Sequence, residues 1–277
     1  MDKMTTSYVF QTDSIEVKKA FQNPNYLIEY KYTGLKEKNC VLYFSSNNIY
    51  HPNSKDSFRS SIIDKDKYEW YNTRIENGVK HIFLRDIQKQ WYLKGINSKL
   101  NSIEKVLKFL KKETLGYSVI TIGSSAGGYA AVLFGSLLNA EKILTFNGQF
   151  HVSDLLTSSN EAVDPVIFRE QFNPYVNKYF SLKNFLNNPS NIYYFFSNKS
   201  KWDQINKNHI LEEGINIISF NTNNHGIPFV KSALLRVINS SKQELNSWMK
   251  NSHFPIFFSI KYGGIYATLR VLIKKII

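Results

Sequence analysis

A single cysteine, Cys40, stands among the 277 residues, which excludes an intramolecular disulfide and any multi-cysteine metal site. It opens the apolar run 40–46, where a small thiol reads as core, so a reducing compartment is the natural setting. No window approaches the roughly 20 uninterrupted apolar residues that a membrane-spanning helix needs, and the first residues, Met1 to Ser7, hold no apolar stretch of signal-peptide length. These shortages predict a cytoplasmic protein. Internal repeats and low-complexity linkers are missing too, so the length fits one large α/β domain.

Acidic residues are the other shortage. Thirty-five Lys and Arg face 22 Asp and Glu, a formal charge of +13, which biases the protein toward anionic partners. No helix-turn-helix, zinc-finger or RNP signature accompanies that charge, so nucleic acid is not the expected partner. Hydrophobic residues make up 43% of the chain and aromatics 15%, enough for a substantial core rather than a disordered chain.

Residues 26–32, 40–46 and 81–86 read as strands. Leu100, Ile103, Val106, Leu107 and Leu110 recur at helical spacing between Asn97 and Thr114, and Gly116 stops that helix before a strand at 118–122. A helix from Ala126 to about Leu138, strands at 142–146, 191–196 and 215–220, and a helix over roughly 227–250 complete the plan. Alternation of this kind predicts a largely parallel sheet with helices on both faces. The stretch 150–190 is too long for a plain connection and reads as a helical insertion, a possible lid lined by Phe168, Phe172, Tyr175, Tyr179 and Phe180. The chain thus divides into an α/β domain over 1–252 and a tail over 253–277.

Val119 to Leu133 carries the strongest chemical signal. Gly123, Ser125 and Gly127 fill G-x-S-x-G between a buried strand and a helix of small residues, the setting of a nucleophile elbow. The competing phosphate-binding loops require a lysine near the helix start or G-x-G-x-x-G, and neither is present. A serine hydroxyl needs a base, and the base needs an acid that fixes its tautomer. Of the histidines after Ser125, only His225 follows a strand directly, in a turn-rich loop. Asp203 lies after strand 191–196, and its competing role is a helix N-cap; Asp154 is the fallback acid. The oxyanion donors expected are the Ala126 N–H and one from the loop after strand 40–46, from Ser46 or Asn47. Arg85, Trp70, Trp91 and Tyr92 combine charge and aromatic rings near the expected mouth and are candidate substrate contacts, with closure of the hydrophobic layer as their alternative.

Gly123-Ser124-Ser125-Ala126-Gly127 followed in order by Asp203 and His225 resembles the α/β-hydrolase superfamily over about residues 26–250. The Phe44-Ser45-Ser46 loop and Ser125-Ala126-Gly127-Gly128-Tyr129 are similar to proteins of bacterial capsule and surface-polysaccharide loci, including capsule O-acetyltransferases. That resemblance implies transfer of acetyl from acetyl-CoA to a sugar hydroxyl, with no bound cofactor and a polysaccharide acceptor. No His-Gly-Gly oxyanion motif is present, which speaks against a lipid esterase. A carboxylesterase or deacetylase with the same three residues, and a non-catalytic accessory protein of glycan biosynthesis, remain the alternatives. The tail from His253 to Ile277 is apolar and basic with no acidic residue, so it fits an anionic membrane surface, the body of the domain or a second subunit. The first of these would place the protein at the periphery of the inner membrane.

Overall fold

The computed structural model describes residues 7–31 and 38–274. Its strands are β1 (Tyr26–Tyr30), β2 (Asn39–Phe44), β3 (Gly78–Leu84), β4 (Ser118–Ser124), β5 (Lys142–Phe146), β6 (Ile192–Ser197) and β7 (Asn216–Phe220). They form one sheet in the order β1-β3-β2-β4-β5-β6-β7, with β1 antiparallel to β3 and the other pairs parallel. The central strands are continuous apolar runs because both of their faces are buried. Within β2, Leu42 and Phe44 enter one core and Val41 and Tyr43 the other, the period-two alternation of a pleated strand.

On the first face lie α1 (Ile103–Glu113) and α2 (Ala126–Leu137). α1 presents Val106 and Leu110 to the sheet, whereas α2 is apolar on nearly all sides because it is enclosed by the sheet and the insertion. After β6 comes α3 (Lys201–His209), and on the opposite face lie α4 (Lys242–Trp248) and α5 (Pro255–Gly263), followed by α6 (Ile265–Ile273). Leu245, Trp248 and Phe258 join the second core beside Phe195 and Phe220. A mostly parallel sheet of this order, covered on both faces and carrying a glycine-flanked strand–turn–helix at its centre, is the α/β-hydrolase fold.

The expected helix over 97–114 begins only at Ile103, because the Asn97 carboxamide oxygen accepts from the Lys99 and Leu100 N–H groups and Ser102 caps the helix proper. The expected helix over 227–250 is broken. A short helix, Leu234–Ile238, ends before Ser240, and α4 restarts at Ser241, whose capping box with Glu244 satisfies the free N–H groups of the new helix. Strand 26–32 reaches Tyr30 as β1, and residue 32 lies outside the described residues, as do Met1 to Thr6 and Lys275, Ile276 and Ile277 of the tail.

The insertion at 150–190 contains short helices, Leu155–Ser158, Pro165–Arg169 and Pro174–Asn177. It is tied to the body where the Tyr129 hydroxyl donates to the Tyr179 carbonyl at 2.6 Å, and by Lys94–Glu170 and Arg169–Asp13 ion pairs. The aromatic lining expected of it is a correction. Tyr179 and Phe180 are buried in the first core, and Phe172 and Tyr175 face solvent at 87% and 77% exposure. The cavity wall is made instead by its smaller residues between 154 and 164.

Candidate active site

β4 delivers the chain to the carboxyl edge of the sheet, where parallel α/β folds gather their functional groups. At the turn Ser125 adopts φ 53° and ψ −124°, a strained conformation for a side-chain-bearing residue, held by its N–H donating to the Phe146 carbonyl at 3.0 Å. The two flanking glycines are forced by contact. A Cβ on Gly123 would lie 2.0 Å from the Gly127 oxygen, and one on Gly127 would lie 2.3 Å from the Phe44 oxygen. The strain thus projects Ser125 beyond the sheet at the first turn of α2, where backbone N–H groups have no intrahelical partner.

The other two expected residues meet it there. His225 Nε2 is 2.8 Å from Ser125 Oγ, and His225 Nδ1 is 2.9 Å from Asp203 Oδ1. With Asp203 acceptor-only when ionised, Nδ1 carries the proton and Nε2 is left to accept from the serine hydroxyl. Asp203 is not the N-cap of α3. Ser200 takes that position by accepting from the Asp203 N–H, and Asp203 sits in the first turn, 1% exposed. The Trp202 ring packs on the imidazole at 4.6 Å between centroids.

A residue the sequence reading passed over sets the histidine loop. Asn147, just after β5 at φ 43°, donates from Nδ2 to the carbonyls of Asn224 and Gly226, the two neighbours of His225, and to Ser197 Oγ. Its Oδ1 accepts from the Ser197 N–H at 2.8 Å, so one carboxamide ties β5, β6 and the loop together. Asn147→Ala removes all four bonds inside a buried site and is expected to cost about 2–4 kcal/mol. Urea denaturation measures this, and labelling of Ser125 by a phosphonate is expected to slow in the folded variant as His225 loses its register.

Gln149 is the second such residue. Its amide Nε2 is 3.3 Å from both Ser125 Oγ and His225 Nε2, and its Oε1 accepts from the Trp91 indole at 3.1 Å. Because an indole N–H can only donate, the Trp91 bond fixes the amide orientation and turns the Gln149 NH₂ toward the serine. Nothing in its spacing marks an isolated, 1% exposed glutamine for this position.

Of the expected oxyanion donors, Ala126 stands at the start of α2 and Asn47 borders the cavity. Ser46 is a correction. Its N–H donates to Glu69 Oε2 at 2.5 Å and its hydroxyl to Glu69 Oε1 at 3.1 Å, so it has no donor to spare.

Ser125 and His225 open into a cavity of about 950 Å³, within the size of small-ligand sites. Trp91, Leu155, Val163, Trp202 and Ile205 give it apolar walls, and Lys89 and His51 also line it. Lys89 donates to the Tyr50 carbonyl and Asn53 Oδ1, and burial pulls its ammonium down to about 8 against the opposing attraction of Asp86. Asp154 lines the cavity but makes no bond to His225, whose acid partner is Asp203. Burial holds its carboxyl above the ordinary value.

Among the four candidate substrate contacts only Trp91 lines the cavity. Arg85 is buried, bonded to Asn25, the Lys67 carbonyl and Asp66. Trp70 donates to the Phe44 carbonyl and stacks on Phe146, and the Tyr92 hydroxyl donates to the Ser45 and Leu84 carbonyls. These three close the layer above the sheet. The organiser there is Asp86, whose buried carboxylate accepts from the N–H groups of Gln88, Lys89, Gln90 and Tyr92. Those bonds favour the charged form, yet burial dominates and pushes its carboxyl up. They also hold Lys89, Trp91 and Tyr92 at positive φ, which is how Trp91 comes to face Gln149.

No family model and no curated protein sequence matches the chain. Among solved structures it is similar to the capsule O-acetyltransferase of Neisseria meningitidis serogroup A, at 13% identity over 83% of this chain and 93% of that one, TM-score 0.47. Another structure of that enzyme is in complex with CoA. It is also similar to S-formylglutathione hydrolase from Staphylococcus aureus, at 13% identity over 79% and 86% of the two chains, TM-score 0.43. A lipase-esterase related protein from Clostridium acetobutylicum matches at 14% identity over 81% and 100%, TM-score 0.41. At such distances the chemistry comes from this chain's own residues.

Proposed function

We propose that this chain is a serine-dependent acyltransferase that takes acetyl from acetyl-CoA onto Ser125 and passes it to a hydroxyl of a bacterial capsular or surface polysaccharide. The observation that supports this most is the hydrogen-bonded series Ser125, His225, Asp203 at the floor of an apolar-walled cavity. Ser125 Oγ attacks the acyl carbonyl while its proton passes to His225 Nε2, and Asp203 steadies the imidazolium. The tetrahedral oxyanion takes hydrogen bonds from the Ala126 and Asn47 N–H groups and from Gln149 Nε2. Collapse breaks the bond to the leaving sulfur, which receives the proton from His225, and an acyl-serine remains. His225 Nε2 then removes the proton of the acceptor hydroxyl as its oxygen attacks the acyl carbon, and the second collapse returns that proton to Ser125 Oγ.

Water in place of the sugar would make the same site a carboxylesterase or deacetylase. Two features favour transfer. Trp91, Leu155, Val163, Trp202 and Ile205 surround the acyl-serine with apolar surface that offers an attacking water no hydrogen-bond partner. The charge of +13 raises the local concentration of anionic donors and polymers. The sequence resemblance to capsule O-acetyltransferases supplies the acceptor class. The test follows free CoA and sugar-bound acetyl together, with and without candidate polysaccharides. Acetyl on the glycan, formed only by protein with Ser125, is the expected result; acetate released from acetylated sugars with no consumption of acetyl-CoA would replace transfer by hydrolysis.

The acid is separable in the same assay. Asp203→Asn is expected to lower turnover about 10³- to 10⁴-fold, because the imidazole loses the acceptor that fixes its tautomer. Asp154→Asn, at a residue that lines the cavity without bonding His225, is expected to cost less than about tenfold in turnover. The reverse order in two folded variants would reassign the acid.

A further inference from the structure

The two C-terminal helices leave an apolar surface that the fold does not cover. α5 and α6 are docked on their inner sides, where Phe258 enters the second core, Ser259 accepts from the Val230 N–H and Thr268 bonds Ser232 across a 2.8 Å gap. The outer sides are different. Phe257 is 72% exposed and in edge contact with Phe254, itself 59% exposed, and Tyr266 is 87% exposed. On α6, Ile265, Leu269 and Ile273 recur every fourth residue and are about half exposed, a stripe that a helix turned to water does not need.

The charges around this surface have one sign. Lys261, Arg270 and Lys274 are exposed beside it, and among the described residues no carboxylate lies within ion-pair distance of them. No Asp or Glu follows Glu244 in the chain, and the segment Lys231–Ile238 that supports the helices has none either. A second copy of this chain is disfavoured as the occupant, since a two-fold interface would set the same cations against each other. No helix among the described residues is long and apolar enough to cross a membrane.

We propose that the outer face of α5 and α6 docks on an anionic lipid surface, with Phe257, Tyr266 and the Leu269 stripe entering the headgroup boundary and Lys261, Arg270 and Lys274 meeting the lipid phosphates. An amphipathic, cationic element of this kind lies in the interface plane. Docking starts beside the active edge, because His253, which leads into α5, pairs with Phe220 at the end of β7, five residues before His225. The inference is independent of the chemistry at Ser125.

Removing the tail is not the test, since Phe258 is 4% exposed within the second core and its loss would disturb that core. The full chain is sedimented with vesicles of phosphatidylcholine alone and of phosphatidylcholine with phosphatidylglycerol. Binding is expected only to the anionic vesicles and is expected to weaken as salt is raised. Combined Lys261→Glu, Arg270→Glu and Lys274→Glu are expected to lower partitioning at least about a hundredfold, each lost cation being worth about fivefold. Phe257→Ser with Tyr266→Ser is expected to lower it about tenfold or more, and all five positions are exposed enough to leave the melting temperature unchanged. Ser125→Ala is expected to bind like the unaltered chain, which keeps this result apart from the proposed function. Absence of binding to anionic vesicles at low salt would overturn the proposal. So would binding unchanged in both sets of variants, or a concentration-dependent dimer abolished by the Phe257 and Tyr266 changes without any vesicle binding.

Discussion

Ser125→Ala and His225→Ala are each expected to lower acyl turnover about 10⁴-fold or more, and the double variant to fall little further. The near-equality of single and double losses is the informative part. Ser125 Oγ and His225 Nε2 share one proton across 2.8 Å, so neither group acts without the other, and deletion of either leaves only binding and oxyanion stabilisation. Both changes remove atoms at the cavity floor without touching the glycine contacts of the elbow, so the variants are expected to melt as the unaltered chain does. Steady-state turnover of an activated acetyl ester, followed beside thermal unfolding, provides the check. Additive losses, with the double variant falling by the product of the two, would mean that the serine and histidine work separately.

Gln149→Ala is expected to lower kcat by about 10²- to 10³-fold, the cost of removing one oxyanion donor. KM is expected to change little, because in the proposed mechanism the Gln149 amide bonds the charge that develops in the transition state more strongly than it bonds the ester. Gln149→Glu is expected to be the worse variant, since an ionised carboxylate cannot donate and would place negative charge where the amide now lies, 3.3 Å from Ser125 Oγ. Trp91→Phe leaves the amide in place but removes the indole that orients it, and a smaller loss of about tenfold is expected. Affinity for a tetrahedral boronic acid should follow kcat through this series. A Gln149→Ala variant with kcat within about threefold of the starting value, or with an unchanged boronic acid affinity, would reduce Gln149 to a packing residue.

What the sequence disclosed was the chemistry held close to strand ends. The elbow is a local pattern, with glycines whose necessity is visible as backbone contacts to Gly127 and Phe44. Asp203 and His225 each follow a strand, so chain order and the parallel sheet were enough to bring them toward Ser125. The break before α4 went unread in the single helix expected over 227–250, although Ser241 and Glu244 form the S-x-x-E pattern that starts a helix. Other features depended on partners far along the chain. Ser46 was an oxyanion candidate until Glu69, 23 residues on, took its N–H. Arg85, Trp70 and Tyr92 carry the residue types that bind sugars, yet their polar atoms satisfy backbone carbonyls and Asp66 instead. Asn147 and Gln149 had no spacing signal at all. Their roles arise because β5 ends between β4 and β6, so two ordinary carboxamides fall beside the serine and the histidine loop.

The most direct test of the central claim is the intact mass of the protein after brief mixing with acetyl-CoA, read before and after a polysaccharide acceptor is added. One acetyl group on Ser125 is predicted, absent from Ser125→Ala, formed slowly in Gln149→Ala, and lost from the protein as acetyl appears on the sugar. A protein that gains no acetyl group under these conditions, or one that carries it equally in Ser125→Ala, would contradict the account.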